Sequence, residues 1–309
     1  MKKNPKILVL LALYNGEKYI SDQLLSIIEQ ESVNIDVLIS DNGSTDNSLN
    51  IINKLINIKK IKNIKILNNK STKGFANNFY FLIRNVKNTN DYDYYAFSDQ
   101  DDIFLLNKYS LLISELEKNS ADCCSSGLFE LKDNKINKTI YQKNKIRKYD
   151  FLFEGAGQGC SFLINRNAFT ETRSYLIKYE NQIKDFYFHD WLIYLITRIL
   201  NYKWLFLREP LTIYRQHEEN NFGSKFSING IKKRLNRIFS GWYKNQITLA
   251  YHIASNINSK YFVDFSPFLL IKKRNFFQKI NLSIFIFKHG RRRFKENLIL
   301  FYAVLFNYI

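Results

Sequence analysis

The feature that most limits what this chain can fold into is an alternation over its first hundred residues. Short, mostly apolar runs, KILVLLAL, IDVLIS, IKIL and DYYAFS, are separated by stretches with helical spacing. In EKYISDQLLSIIEQE the apolar positions are Ile20, Leu24, Ile27 and Ile28; in STDNSLNIINKLI they are Leu49, Ile52, Leu55 and Ile56; GFANNFYFLIRNV follows the same period. Short continuous runs suit strands buried on both faces, and their alternation with helices predicts an α/β fold with a mainly parallel sheet flanked by helices. Ligands of such sheets sit beyond the carboxyl ends of the strands. That rule singles out Tyr14 and Asn15 after the first strand, Asp41 after the second, and Asp99 and Asp101 after the fourth.

The chain has 309 residues, which accommodates one large α/β domain with an appendage. The three cysteines, Cys123, Cys124 and Cys160, match neither a zinc pattern nor a disulfide framework, so a reducing cytoplasm is the expected setting. MKKNPKILVLLAL has a basic start before an apolar run, but YNGEKY follows without a small-residue cleavage site, so a buried first strand is expected rather than a secretion signal. No apolar stretch reaches the ~20 residues that span a bilayer.

Residues 105–118 read as a helix and 121–150 as a polar strand-and-loop excursion. SFLIN reads as a strand and WLIYLITRIL as an apolar helix; YKWLFL and LTIYR read as paired strands with a turn at Pro210. Beyond Gly223 the pattern changes to helical stretches mixing basic and apolar residues. The net charge is +18, and residues 223–309 carry 16 Lys and Arg against only Asp264 and Glu296. This asymmetry divides the chain into two parts with different jobs, residues 1–223 and a basic amphipathic helical extension over 224–309. There is no Walker-type loop.

Four stretches carry chemistry. ISDNGSTDNS turns out of a strand into a helix: Asn42-Gly43 supplies positive φ, and Ser44, Thr45 or Asp46 caps the helix, which leaves Asp41 unexplained. A carboxylate there can accept the ring N–H of uracil or thymine, or bind ribose. YYAFSDQDD packs Asp99, Asp101 and Asp102 into four positions. A helix cap accounts for one aspartate and not three, so Mg²⁺ or Mn²⁺ held by an Asp-x-Asp pair is favoured, with Asp102 left to cap the helix. His189-Asp190-Trp191 opens an apolar helix, where Asp190 is either a cap or a general base. In REPLTIYRQHEEN, Arg215 has the forked donors that suit phosphate, and His217 stands beside it. EGAGQGCSFLI is glycine-rich before a strand, not a helix, so it is no dinucleotide fingerprint; a turn or small residues facing a substrate fit better.

Taken in order, LALYNGEKYI, ISDNGSTDNS, KGFANNF, FSDQDDIF, GQGCSFLI, HDW and YRQHEEN resemble a family-2 glycosyltransferase with the GT-A (Rossmann-like) fold. The nearest kind is the bacterial rhamnosyltransferase-like group that builds surface polysaccharides. The resemblance covers about residues 5–223. It implies that Asp41 contacts base or ribose, that Asp99 touches ribose, and that Asp101 holds the metal–diphosphate, with Arg215 and His217 approaching diphosphate or metal. Tyr14, Asn15 and Lys73 complete the implied donor side. Gly157, Gln158, His189 and Trp191 form the implied acceptor side, and Asp190 is the implied catalytic base. Two departures stand out: Asn42 replaces the second carboxylate of the usual Asp-Asp-Gly-Ser, and Phe104 stands where an aromatic, often Trp, is usual.

The implied reaction is transfer of a sugar from a nucleoside diphosphate (dTDP-rhamnose or a UDP-hexose) to a glycan or polyprenyl-linked acceptor, with inversion and a Mg²⁺ or Mn²⁺ cofactor. The implied location is cytoplasmic, with peripheral attachment to the inner face of the cell membrane left open. Helices mixing Lys and Arg with Phe, Ile and Leu suit an anionic membrane surface. The rival function is a nucleic-acid or anionic-membrane binding protein using the basic clusters at 232–234, 272–274 and 291–293. No recognition motif is present and the acidic cluster would repel a phosphate backbone, so no nucleic-acid partner is expected. Nucleotidyl transfer would want a glycine- and Lys/Arg-rich loop after the first strand, which YNGEKY lacks.

Overall fold

The computed structural model describes residues 4–70, 74–141, 145–217, 235–258 and 274–309; Lys73 and the basic residues 232–234 and 272–273 lie outside the described residues. The chain falls into two compact units that interleave along the sequence. One holds Met1–Gln142, Gly157–Lys178 and Tyr202–Arg215; the other holds Lys143–Ala156, Tyr179–Asn201 and Gln216–Ile309.

The first unit is built on a nine-stranded sheet. Its parallel half contains β1 (Lys6–Leu13), β2 (Asn34–Asp41), β3 (Ile64–Asn68) and β4 (Tyr94–Ser98), in the spatial order β3-β2-β1-β4. The other half is antiparallel. β4 pairs with β8 (Phe162–Asn165), followed by β6 (Cys123–Lys132), β9 (Trp204–Gln216) and β5 (Ile103–Phe104), while β7 (Lys135–Ile140) forms a hairpin with β6. The sheet is therefore mixed. The expected pair of strands around Pro210 is one continuous strand, β9. A proline is tolerated in a strand wherever its missing N–H is not needed by a ladder.

Alternation of side chains sorts β1 between two layers. Ile7, Val9, Leu11 and Leu13 join one buried cluster with Ile20, Leu24 and Ile27 of α1 (Ile20–Ile28), Ile52 of α2 (Ser48–Lys59) and Leu112, Ile113 and Leu116 of α4 (Lys108–Lys118). Leu8 and Leu10 are also buried and face the other way, where α3 (Phe75–Arg84) packs on β1 and β2. Removing a core leucine from such a layer costs about 2–5 kcal/mol. α5 (Arg166–Lys178) completes the layer beside α3.

From β1 the chain proceeds outward through β2 and β3, then returns to place β4 on the opposite side of β1. The strand order therefore switches direction at β1, and the carboxyl ends of the strands at such a switch point are where α/β sheets take ligands.

The second unit is helical. After the short α6 (Glu180–Ile183) come α7 (His189–Ile199), α8 (Trp242–Ile257), α9 (Phe276–His289) and α10 (Phe294–Leu305). α7 is apolar nearly all round, and Trp191 to Ile196 are all buried, as expected of a helix enclosed by neighbours. α9 starts on a capping box in which Asn275 and Gln278 exchange hydrogen bonds. No described helix is long and apolar enough to cross a membrane.

The sequence division at 223/224 differs from this grouping. Residues 143–156 and 179–201 pack with the C-terminal helices, through ring contacts such as Trp191–Tyr243 and Tyr149–Phe285 and through buried ion pairs. Asp150, wholly buried, is ion-paired at 2.8 Å by Arg198 and at 2.8 Å by Arg292.

Candidate functional site

Tyr14, Asn15, Asp41 and Asp99, expected on the donor side, stand at the carboxyl ends of β1, β2 and β4. The register sets Leu13 beside Asp41 and Leu11 beside Ser98, so the loops after these strands leave from one edge. Asp41 is buried, and both of its carboxylate oxygens accept from the Ser44 N–H, at 3.1 and 3.3 Å. Gly43 adopts φ +84°, the left-handed turn expected at Asn42-Gly43. Asn42 donates its amide to the Asn69 carbonyl at 2.8 Å. A carboxylate at position 42 could not make that bond, which gives the departure from Asp-Asp a structural use.

Asn15, at φ +49°, accepts from the Thr45 N–H at 2.8 Å, and its own N–H donates to Ser44 Oγ at 2.9 Å. The loops after β1 and β2 are thereby stitched together. The N-cap of α2 is Asn47, not Ser44, Thr45 or Asp46; Asp46, one residue earlier, accepts from the Ser48 N–H at the start of α2 and also from the Glu17 N–H. Tyr14 is 57% exposed beside these loops.

Two residues that sequence reasoning did not single out hold this region in place. Gln100, the middle residue of Asp-x-Asp, accepts from the Tyr14 N–H at 2.7 Å and donates to the Tyr14 carbonyl at 2.8 Å. A Cβ at Gly16 would meet Gln100 Cδ at 2.8 Å, so glycine there is required. Asn78 of α3 is buried and accepts from Ser40 Oγ (2.6 Å) and Asn69 Nδ2 (3.0 Å); it donates to the carbonyls of Ser40 (3.1 Å) and Leu13 (3.4 Å).

The acidic cluster is not uniform. Asp99 and Asp101 are half-buried, whereas Asp102 is wholly buried. Asp102 does not cap α4, which begins six residues later with Asn107 before it. Instead Asp102 Oδ1 accepts from the Arg215 N–H at 3.4 Å. Burial, and then the charge of Asp101, raises its carboxyl to about 7. Lys108 lies close by, wholly buried, donating to the Cys160 carbonyl at 2.5 Å and standing over the Phe104 ring. Burial lowers its ammonium to about 7, an effect that Cys160 and Asp102 only partly offset. The sequence held one signal for Lys108: it shares an i, i+4, i+8 stripe with Leu112 and Leu116, both buried.

The tightest set of ligand atoms among the described residues is Asp99, Asp102 and Cys160, within 4.8 Å of one another. Burial pushes the Cys160 thiol far up, so it stays protonated and does not suit a hard cation. The half-buried carboxylates of Asp99 and Asp101 do suit Mg²⁺ or Mn²⁺, which prefer oxygen ligands and keep positions for phosphate oxygens.

Arg215 is anchored within this unit. Its guanidinium donates to the Asp101 carbonyl at 3.0 Å, pairs with Asp22 at 3.3 Å and stacks over Tyr19 at 4.8 Å. It braces the backbone of the acidic loop as well as offering positive charge beside it. Gly157, at φ +126°, also belongs to this unit, as does Gln158, whose side-chain oxygen is buried without a hydrogen-bond partner among the described residues.

The second unit carries His189, Asp190, Trp191 and His217. Asp190 sits in the first turn of α7, half-buried, and its carboxylate accepts from the Trp191 N–H at 2.7 Å. Trp191 is buried, its indole N–H donates to the Phe151 carbonyl at 2.7 Å and its ring packs on Phe186 and Tyr243, so it works as core packing at the start of α7. His189 is buried, and desolvation lowers its imidazole to about 3, leaving it neutral near pH 7. His217 follows directly on β9 and is half-buried.

Comparison with known proteins identifies the family and the fold. The family model described as "Glycosyl transferase family 2" matches residues 8–175. The chain is 38% identical over 239 residues to the dTDP-rhamnosyl transferase RfbG of Shigella flexneri, covering 77% of this chain and 82% of that one. Among solved structures, S. aureus TarS 1–349 in complex with UDP-GlcNAc superposes with TM-score 0.53 at 15% identity, covering 98% and 91% of the two chains. The mannosyltransferase PcManGT of Pyrobaculum calidifontis, in complex with GDP-Man and Mn²⁺, gives TM-score 0.51 at 10% identity, covering 98% and 86%. These two share the fold. The chain, an α/β protein of the GT-A kind, is a glycosyltransferase and belongs to glycosyl transferase family 2.

Proposed function

We propose that this enzyme transfers rhamnose from dTDP-rhamnose, with inversion, to a hydroxyl of a glycan or polyprenyl-linked glycan in surface polysaccharide synthesis. The observation that carries the proposal is the gathering of Tyr14, Asn15, Asp41, Asp99 and Asp101 at the switch point of the sheet, with Gln100 tying the β1 and β4 loops together. The 38% identity to a dTDP-rhamnosyl transferase supports the choice of donor over a UDP-hexose.

In this mechanism Asp41 accepts the ring N–H of the base, Tyr14 and Asn15 line the nucleoside, and Asp99 takes ribose. Lys73 and Arg215 place positive charge on the donor side. Asp101, with Asp99 and His217, would hold Mg²⁺ or Mn²⁺, which when bound neutralises charge on the departing diphosphate. Asp190 takes the proton of the attacking hydroxyl. His189, Trp191, Gly157 and Gln158 shape the acceptor side; burial, by lowering its imidazole to about 3, makes His189 a weak base beside Asp190.

The deciding experiment presents purified enzyme with dTDP-rhamnose and UDP-hexoses, with MnCl₂ or with EDTA. Consumption of dTDP-rhamnose that needs the metal supports the proposal. Consumption of a UDP-hexose alone would reassign the donor, and no binding or turnover of any nucleotide sugar would refute the whole scheme.

The C-terminal helices support a membrane surface as partner, and with it a cytoplasmic enzyme held on the inner face. Along α10, Lys295, Ile299, Tyr302 and Phe306 are exposed at i, i+4, i+7 and i+11, an outward stripe of apolar residues begun by a base. On α9, Phe277, Ile284 and Lys288 are exposed in the same way. Nucleic-acid binding is not favoured, because Arg291 and Arg292 of the 291–293 cluster are engaged with Glu296, Asp150 and Glu154. Sedimentation with anionic vesicles that is lost in Y302E/F306E supports the membrane partner; equal sedimentation of the variant would remove it.

A further inference from the structure

The basic triplet 291–293 reads in sequence as a patch for an external polyanion, yet its middle residue is almost wholly enclosed. The Arg292 side chain is 1% exposed. It donates to Asp150 Oδ2 at 2.8 Å, to the Tyr194 hydroxyl at 3.2 Å and to the Gly155 carbonyl at 2.6 Å, while its own N–H donates to Glu154 Oε1 at 2.5 Å. Every second carbonyl of the loop it grips is held: that of Phe151 by the Trp191 indole, that of Phe153 by Tyr243 and Arg291, and that of Gly155 by Arg292. The loop in turn bears on the start of α7. A Cβ at Gly155 would lie 3.1 Å from Trp191 Cα and 3.2 Å from its N. Tyr194 and Arg198, which share Asp150 with Arg292, stand one and two turns beyond Asp190 on the same face of α7.

We infer that Arg292 is a positioning residue for the acceptor side of the reaction: it clamps residues 150–155 against α7 and so sets where Asp190 stands. The inference rests on Asp190 being the base. It gives the C-terminal segment a part in catalysis separate from any membrane contact. Arginine suits the task because one planar fork reaches a carboxylate, a hydroxyl and a carbonyl together. Lysine, a point charge with one nitrogen, can keep only part of this set.

The test compares R292M, R292K and G155A with the wild type. Turnover is counted per site titrated with dTDP and Mn²⁺, so misfolded protein drops out of the comparison. A displacement of about 1 Å at a reacting group costs on the order of 100-fold in rate. R292M and G155A are expected to lose about that much kcat per site while dTDP affinity stays within about twofold, and R292K to recover part of the loss. Wild-type turnover per site in R292M and G155A would overturn the inference, as would a loss of dTDP affinity parallel to the loss of rate. Should R292M fail to fold, G155A and R292K decide on the same readout. An active D190N variant would remove the base assignment whatever position 292 does, so the two failures are told apart.

Discussion

The side-chain amide of Gln100 closes a two-bond ring on the backbone of Tyr14, accepting from its N–H at 2.7 Å and donating to its carbonyl at 2.8 Å. One residue thus joins the loop that carries the proposed metal ligands to the loop that carries the proposed nucleoside contacts, across the switch point of the sheet. Each bond contributes about 0.5–1.5 kcal/mol net. Q100A is expected to raise the donor KM on the order of tenfold with a much smaller change in kcat. Q100E keeps the acceptor and loses the donor, and should fall between. Steady-state kinetics with the nucleotide sugar decide, and an unchanged donor KM in Q100A would show that the ring does not matter to binding.

Asn78 does comparable work beneath the surface. Its four hydrogen bonds join the ends of β1 and β2 to Asn69 after β3. Half of them need a donor, so a carboxylate at this position would face the Ser40 and Leu13 carbonyls with no proton to give. N78D is therefore expected to be less stable than N78A, which itself loses about 3 kcal/mol by leaving buried groups unsatisfied. Urea unfolding of both variants checks the order; N78D equal to or more stable than N78A would contradict it.

His189 makes stability depend on pH in a defined direction. Its imidazole takes a proton only at about 3 in the folded chain because burial disfavours the charge, against about 6.5 when unfolded. Above 6.5 neither state is protonated and the residue is silent. As pH falls from 6.5 towards 3 only the unfolded state gains the proton, so folding weakens by about 1.4 kcal/mol per unit. Between pH 7.5 and 5.0, H189Q should lose about 2 kcal/mol less stability than the wild type. Parallel stability–pH curves from urea melts would show that His189 is protonated in the fold.

What the sequence disclosed and what it withheld follow physical lines. The strands of the parallel half were legible because both faces are buried, and a run such as KILVLLAL has few other uses. Asp41, Asp99 and Asp101 were legible as groups at strand ends by the same logic. Pro210 misled, since proline marks a turn in most contexts and here sits within β9. Gln100 looked like a spacer because its partner lies 86 residues away. The grouping of 143–156 with the C-terminal helices was hidden for a like reason: Asp150 and Arg292 are 142 residues apart, and no local pattern announces a buried ion pair. Asp102 reads as a cap by proximity to α4, whereas the structure buries it completely and gives it the Arg215 N–H as donor.

Asp190 offers the sharpest test of the chemistry. It occupies the first turn of α7, half-buried, accepts from the Trp191 backbone N–H and follows a histidine that burial keeps neutral. A carboxylate so placed can take a proton from an attacking hydroxyl. Changing it to asparagine preserves size and most hydrogen bonding and removes only basicity. D190N is therefore expected to lower kcat by about 10²–10⁴-fold, the usual contribution of a general base, with dTDP affinity within about twofold of wild type. Because the base acts only once the acceptor is engaged, the loss should appear equally in kcat and in kcat/KM for the acceptor. If D190N turns over at the wild-type rate per dTDP-binding site, the base lies elsewhere and the half-buried carboxylate at the head of α7 is a helix-terminus charge alone.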